Sequence, residues 1–298
     1  MRVLIVGCGY VGQPLGAELV RLGHQVVGVR RTAEGAAQLQ ESGITPVVAD
    51  ITRVEDLRRL PGPFDWVVNT VSSTKGGEAE YREVYLQGTR NLIEAFPVGT
   101  IRKFVYTSST SVYGQTDGSV VKETSATEPA SATSQLLVEA EQLLLDAART
   151  RQFPAAILRV SGIYGPGRGH LFLQYLRDEA RIASKGERLL NMIHRDDVVR
   201  SIVAALQSGR PGEIYNATDD EPVAQIHFFR WLSESLGKPM PPYATEEENA
   251  QRKRGLTQKK VSNRRLRMEL GVALQYPNFR IGYSAEMLRL ERAGQLPE

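Results

Sequence analysis

The stretch Met1-Arg-Val-Leu-Ile-Val-Gly-Cys-Gly-Tyr-Val-Gly12 decides how the rest of the chain is read. Val3, Leu4, Ile5 and Val6 make a short apolar run of the kind that a strand buried on both faces requires. Gly7, Gly9 and Gly12 follow at the spacing G-x-G-x-x-G. Between a strand and a helix this spacing reads as a dinucleotide cradle. The first glycine makes the tight turn, the second lets backbone approach a pyrophosphate, and the third lets helix pack close to strand. A helix is predicted over about 10–22, with its first N–H groups facing the pyrophosphate. Gly7, Gly9, Tyr10, Val11 and Gly12 are therefore the first candidate cofactor residues.

At 298 residues, 41% hydrophobic and 24% charged, the chain has the composition of one large globular domain or two intimate ones. A net charge of +3 and a pI near 8.9 are too mildly basic to argue for nucleic acid, and small anionic ligands fit better. Cys8 is the single cysteine, so an internal disulfide and a multi-cysteine metal site are both excluded, and no metal is expected. A reducing, cytoplasmic setting is the expectation. The first apolar run is too short for a signal peptide, and nothing approaches the ~18–20 apolar residues of a membrane span. A homodimer is compatible with the sequence, which leaves the oligomeric state open.

Strand and helix patterns alternate after the first helix. Strands are predicted over 25–29, 46–49, 66–70 and 103–107, with helices over 33–42, 54–60 and 80–96 between them. Such units imply a doubly wound parallel sheet with ligand at the C-terminal strand ends. Those ends carry Arg30-Arg31, Asp50-Ile51, Thr70-Val71-Ser72 and Thr107-Ser108-Ser109. Arginine after the second strand suits a 2′-phosphate where an acidic residue would suit the ribose of NAD, so NADP is favoured and NAD kept as the alternative. Two solvated arginines are the bland reading of the same pair.

The glycine turn, Asp50-Ile51, Ser108-Ser109-x-x-Val112-Tyr113-Gly114, Leu158-Arg159, Ile163-Tyr-Gly-Pro-Gly167 and Ile193-His-Arg-Asp-Asp-Val198 occur in order. Together they resemble the extended short-chain dehydrogenase/reductase family, also called the NAD-dependent epimerase/dehydratase family. The resemblance implies a Rossmann α/β fold with a smaller, interleaved C-terminal substrate lobe. It also implies that Asp50 contacts adenine and that Ser109 hydrogen-bonds the reacting oxygen. The family's Tyr-x-x-x-Lys pair is missing. Counting back from Glu139-Ala-Glu141 puts Thr133 at the tyrosine position and Leu137 at the lysine position. Threonine beside leucine has neither the phenol nor the cation that lowers its pKa. That departure resembles an atypical branch of the family.

Tyr113 is the nearest substitute acid, although its family role is structural. Lys75, Tyr164, Arg168 and His194, with Ser108, are candidates for the substrate side, and Arg159 for a phosphate contact. The dinucleotide-binding part is read as 1–165, with 191–218 returning to it, and the substrate lobe as 166–190 and 219–298, including helices over 171–183 and 222–236. Eight basic residues within 252–267 lack any nucleic-acid motif. Two functions follow: an NADP-linked oxidoreductase or epimerase-like enzyme on a small, sugar-nucleotide-like substrate, or a non-catalytic NADP-binding sensor.

Overall fold

The computed structural model describes residues 1–74, 76–250 and 257–296. Its centre is a seven-stranded sheet. The strands are β1 (Arg2–Val6), β2 (Gln25–Arg30), β3 (Thr45–Val48), β4 (Trp66–Asn69), β5 (Lys103–Ser109), β6 (Ala155–Val160) and β7 (Ile214–Ala217). They lie in the order β7-β6-β5-β4-β1-β2-β3, and every neighbouring pair is parallel. Leu4 and Val6 face one core while Val3 and Ile5 face the other, which is why this strand reads as an unbroken apolar run. Pro46 has no N–H for a ladder, and it sits in edge strand β3.

Helices cover both faces. In chain order they are α1 (Gly12–Arg21), α2 (Ala33–Ala37), α3 (Val54–Arg58), α4 (Glu78–Tyr81), α5 (Gly88–Ala95) and α6 (Ala132–Arg151). They continue with α7 (His170–Leu176), α8 (Arg195–Ser208), α9 (Gln225–Leu236), α10 (Glu246–Ala250), α11 (Arg264–Leu270) and α12 (Phe279–Arg292). Leu15, Ile202 and Leu266 of α1, α8 and α11 share one core, and Leu57, Leu92 and Leu144 of α3, α5 and α6 the other. A third, aromatic core holds Tyr164, Phe172, Phe228, Phe229, Phe279 and Tyr283 and defines the C-terminal lobe. Because β7 completes the main sheet between segments of that lobe, the two parts interleave.

Several predicted boundaries move. Helix α1 begins at Gly12, after the glycine turn, and not at Tyr10. The helix predicted over 80–96 runs as α4 and α5 joined by a π-helical turn, Arg82–Gln87. The helix predicted to 183 stops at Leu176, because Asp178 takes a left-handed φ of 60° that a helix cannot continue through. The helix predicted from 222 begins at Gln225, since Val223–Ala224 pairs antiparallel with Leu189–Leu190. No helix among the described residues is long and apolar enough to cross a membrane.

Candidate functional site

The glycine turn lies at the C-terminal end of β1, in the middle of the sheet. Gly7 has φ 79°, and a Cβ there would sit 2.6 Å from the Val71 Cα, inside contact distance with backbone. A Cβ on Gly12 would meet the Gly7 carbonyl at 2.9 Å and the Thr70 hydroxyl at 3.0 Å. The first glycine thus makes the turn and the third allows close packing, while at Gly9 the nearest atom would be the Arg30 Nη1 at 3.3 Å. Val11 is half-buried and its carbonyl accepts from Leu15 N–H at 3.1 Å, continuing the turn into α1. Cys8 inside the turn is fully buried, and burial pushes its thiol up to about 12 against the pull of Arg30, so it is no nucleophile.

The neighbouring strand ends are laced to this turn. Arg30 donates from Nη1 to the Cys8 carbonyl at 3.0 Å, which lays its guanidinium along the turn's outer side. Arg31 is exposed and reaches Thr74 Oγ1 at 3.1 Å. Asp50 Oδ1 accepts from Thr52 N and Oγ1 at 2.9 and 2.8 Å, and Ile51 packs beneath it with its carbonyl accepting from Asn91. Thr70 donates to the Gly7 carbonyl at 3.0 Å, Val71 N–H to Asn69 Oδ1 at 3.1 Å, and Thr107 to the Asn69 carbonyl at 3.0 Å. Ser72 is exposed on the same rim. The structure therefore brings these cofactor candidates to one edge of the sheet. A glycine floor that a Cβ would fill, with two arginines at its β2 side, fits a phosphate-rich dinucleotide.

The opposite wall departs from the sequence expectation at Ser108, Tyr113 and Arg159. Ser109 sits half-buried at the β5 exit, and its hydroxyl accepts from Ser111 N–H at 3.1 Å; among the described residues its own proton has no acceptor and can donate. Ser108, placed on the substrate side by the sequence, is instead buried, and it donates to Glu141 Oε1 at 2.5 Å. Tyr113 is fully buried. Its hydroxyl donates to Asn216 Oδ1 at 2.8 Å and accepts from Arg159 Nη1 at 2.9 Å, so it cannot meet a substrate. Burial pushes this phenol up despite the Arg159 charge. Arg159, 4% exposed, grips Glu141 at 2.7 Å and is not available to a phosphate. These residues form one polar core joining the β5 exit, α6, β6 and β7.

Leu137 lies in a cluster with Val112, Tyr113, Val121 and Val261. Thr133 occupies the first turn of α6, half-buried, 3.4 Å from the Ser131 hydroxyl that caps the helix. A leucine buried here is worth about 1.5–3 kcal/mol of burial.

Of the other substrate candidates among the described residues, Arg168 reaches the crevice, its guanidinium 5.0 Å over the Tyr10 ring. Arg195 covers the same ring at 5.4 Å, and burial pushes the Tyr10 phenol up to about 12. Tyr164 is buried, stacked on Tyr283 with ring centroids 4.3 Å apart. His194 is also buried; its Nδ1 accepts from Asp196 N–H at 3.2 Å to cap α8, and its Nε2 faces Glu286 Oε1 at 3.4 Å. Both are thus lobe core. Lys75 lies outside the described residues, as does the Arg252-Lys-Arg254 part of the basic run.

Two groups escaped the sequence reading. Lys259 is 5% exposed, donating to the Tyr113 carbonyl at 2.7 Å and Thr257 Oγ1 at 3.0 Å. Burial holds its amine down at about 8. Tyr85 stands on the π-helical turn beside Ser73. The spacing of Tyr81 and Tyr85, four apart on a predicted helix, was the available signal for the second.

Residues 3–218 match the NAD dependent epimerase/dehydratase family. Over 284 residues the chain is 31% identical to protein YeeZ of Escherichia coli K12, covering 93% of this chain and 97% of that one. It is 27% identical to a 3-diazoavenalumate denitrifying reductase of Streptomyces sp., over 96% of this chain and 100% of the other. Among solved structures, UDP-glucuronic acid 4-epimerase from Bacillus cereus, in complex with UDP-glucuronic acid and NAD, aligns with a TM-score of 0.83 over 98% of this chain and 100% of that chain. At 22% identity, that likeness is one of fold.

Proposed function

The chain belongs to the NAD dependent epimerase/dehydratase family, and on that footing we propose that it is an NADP-linked oxidoreductase or epimerase-like enzyme acting on a small, sugar-nucleotide-like substrate. The observation that carries the reading is the glycine turn with Arg30 and Arg31 at its β2 side and no carboxylate at that strand end. When bound, the nicotinamide supplies or accepts the hydride. The chain's part is to hold and orient. Gly7, Gly9 and Gly12 with the start of α1 take the pyrophosphate, Arg30 and Arg31 take the 2′-phosphate, and Asp50 faces the adenine end. Ser109 donates to the substrate's reacting oxygen. Arg168, between the turn and the lobe, meets an anionic substrate group. The aromatic-cored lobe, 166–190 and 219–298, forms the substrate side, and the buried lone thiol of Cys8 suits a cytoplasmic setting.

Leu137 and Thr133, at the positions where the resemblance expects lysine and tyrosine, support reading the protein as one of an atypical branch that lacks the Tyr-x-x-x-Lys pair. They also favour a second reading, a non-catalytic NADP-binding sensor. Titration with NADP, NADPH and NADH, followed by a screen of carbonyl and sugar-nucleotide panels for change in nicotinamide absorbance, tests both. Turnover supports the enzyme; tight binding with no turnover across the panels supports the sensor; no dinucleotide binding contradicts both. Arg30→Asp is expected to shift preference from NADP toward NAD by roughly tenfold or more, about 1.4 kcal/mol, and unchanged relative affinities would refute the assignment to Arg30.

A further inference from the structure

The wall of the crevice has lost its tyrosine and lysine, yet a phenol stands at the next strand exit. Tyr85 is carried on the π-helical turn Arg82–Gln87, a geometry frequent at functional sites. Its ring lies 4.7 Å from that of Tyr81, half-buried, packed against the core that holds Val71 and against the cluster of Val112, Tyr113 and Leu137. The Tyr85 hydroxyl accepts from Ser73 N–H at 3.1 Å. Among the described residues it makes no hydrogen bond through its own proton. Ser73 is held in place by Glu80, which accepts from the Ser73 hydroxyl and also takes Gly76 N–H at 2.8 Å and Thr74 N–H at 3.2 Å. The N–H that meets the phenol is therefore fixed.

We propose that Tyr85, carried on the π-helical turn and seated on Ser73 N–H, is the proton donor of this site in place of the absent Tyr-x-x-x-Lys pair. The assignment rests on the NADP-linked oxidoreductase reading. In reduction, Tyr85 gives its proton to the substrate's carbonyl oxygen as the C=O bond opens. The hydride that balances the step comes from the reduced nicotinamide to the carbonyl carbon, and the tyrosinate then takes a proton from water. A donor must hold its proton at rest and tolerate the anion afterwards. Burial holds the Tyr85 proton above the ordinary phenol range, and Tyr81 and Glu80 add to that. Ser73 N–H and the Arg168 charge act the other way and stabilise the tyrosinate, which is the part a lysine plays in the usual pair. Tyr106 of β5 also faces Tyr85, but it is fully buried and keeps its own proton.

The test reads tyrosine ionisation by ultraviolet difference titration of the full chain, with and without NADP, in the wild type, Tyr85→Phe and Arg168→Gln. The oxidised nicotinamide is cationic, so NADP should lower one tyrosine's titration by about one pH unit or more in the wild type. That shift should be missing in Tyr85→Phe, while Arg168→Gln, a change on an exposed turn, should raise the same titration. In any panel reaction the wild type turns over, Tyr85→Phe should lose roughly a hundredfold in kcat. The titration decides the matter whether or not the panel contains a substrate. NADP bound with no tyrosine shift, or a Tyr85→Phe rate within twofold of wild type, overturns the assignment. Failure of NADP to bind overturns the cofactor reading beneath it instead.

Discussion

At the β1 exit, two of the three turn glycines have backbone or hydroxyl oxygen where a Cβ would go, and the adjoining strand ends present arginine and threonine. At the β5 exit, by contrast, Leu137, at the position where the resemblance expects lysine, is buried in an apolar cluster, and Tyr113 is locked into a buried network of Arg159, Glu141 and Asn216. Shape alone constrains the first region, because a cradle for phosphate is a backbone surface and tolerates no side chain. The second is constrained by chemistry and can be rebuilt, because a helix face that no longer holds a cation gains stability when it becomes core. On the proposed reading, the same fold keeps a cofactor cradle while its catalytic wall is replaced.

The largest effect that would break this comparison concerns the buried network. Glu141→Ala leaves Arg159 charged, buried and without its carboxylate, so it should cost about 3–5 kcal/mol in urea denaturation. Glu139→Ala, on the exposed side of the same helix, should stay within about 0.5 kcal/mol. Equal effects would mean that the wall is held by something other than this ion pair.

A smaller effect sharpens the wall's other cation. The Lys259 amine is held near 8 in the folded state by burial, while an unfolded lysine titrates near about 10.4. Between those values the unfolded chain binds more protons, so stability should rise with pH from about 8 to about 10, by at most about 1.4 kcal/mol per unit. Below that window both states are charged and the full cost of burying the charge remains. Thermal melting across it should show the rise in the wild type and not in Lys259→Met; the same slope in both proteins would assign it elsewhere.

Much of the cradle was legible in the residues. Glycine spacing is a backbone requirement written directly in sequence, and the β-branched run before it fixed the strand. The burial of Leu137 was legible for a similar reason, since the apolar stripe on α6 follows helical periodicity. Side-chain destination was not. Tyr113, Ser108, Arg159, Tyr164 and His194 carry polar groups that sequence cannot assign to crevice or core, and pairing across elements decided for the core. Tyr85 was hidden for the converse reason. Its place beside Ser73 is set on a π-turn, which an i, i+4 reading of the helix over 80–96 passes over.

Titration of NADPH and NADH into the wild type and Gly7→Ala by calorimetry tests the central claim, an intact NADP-leaning cradle beside a rebuilt wall. At φ 79°, with the Val71 backbone 2.6 Å from the added methyl, the substitution should strain the turn by about 1–3 kcal/mol. The account predicts that the wild type binds NADPH more tightly than NADH and that Gly7→Ala loses roughly tenfold or more in NADPH affinity. Wild-type protein that binds neither dinucleotide, or Gly7→Ala that binds NADPH as well as the wild type, would contradict it.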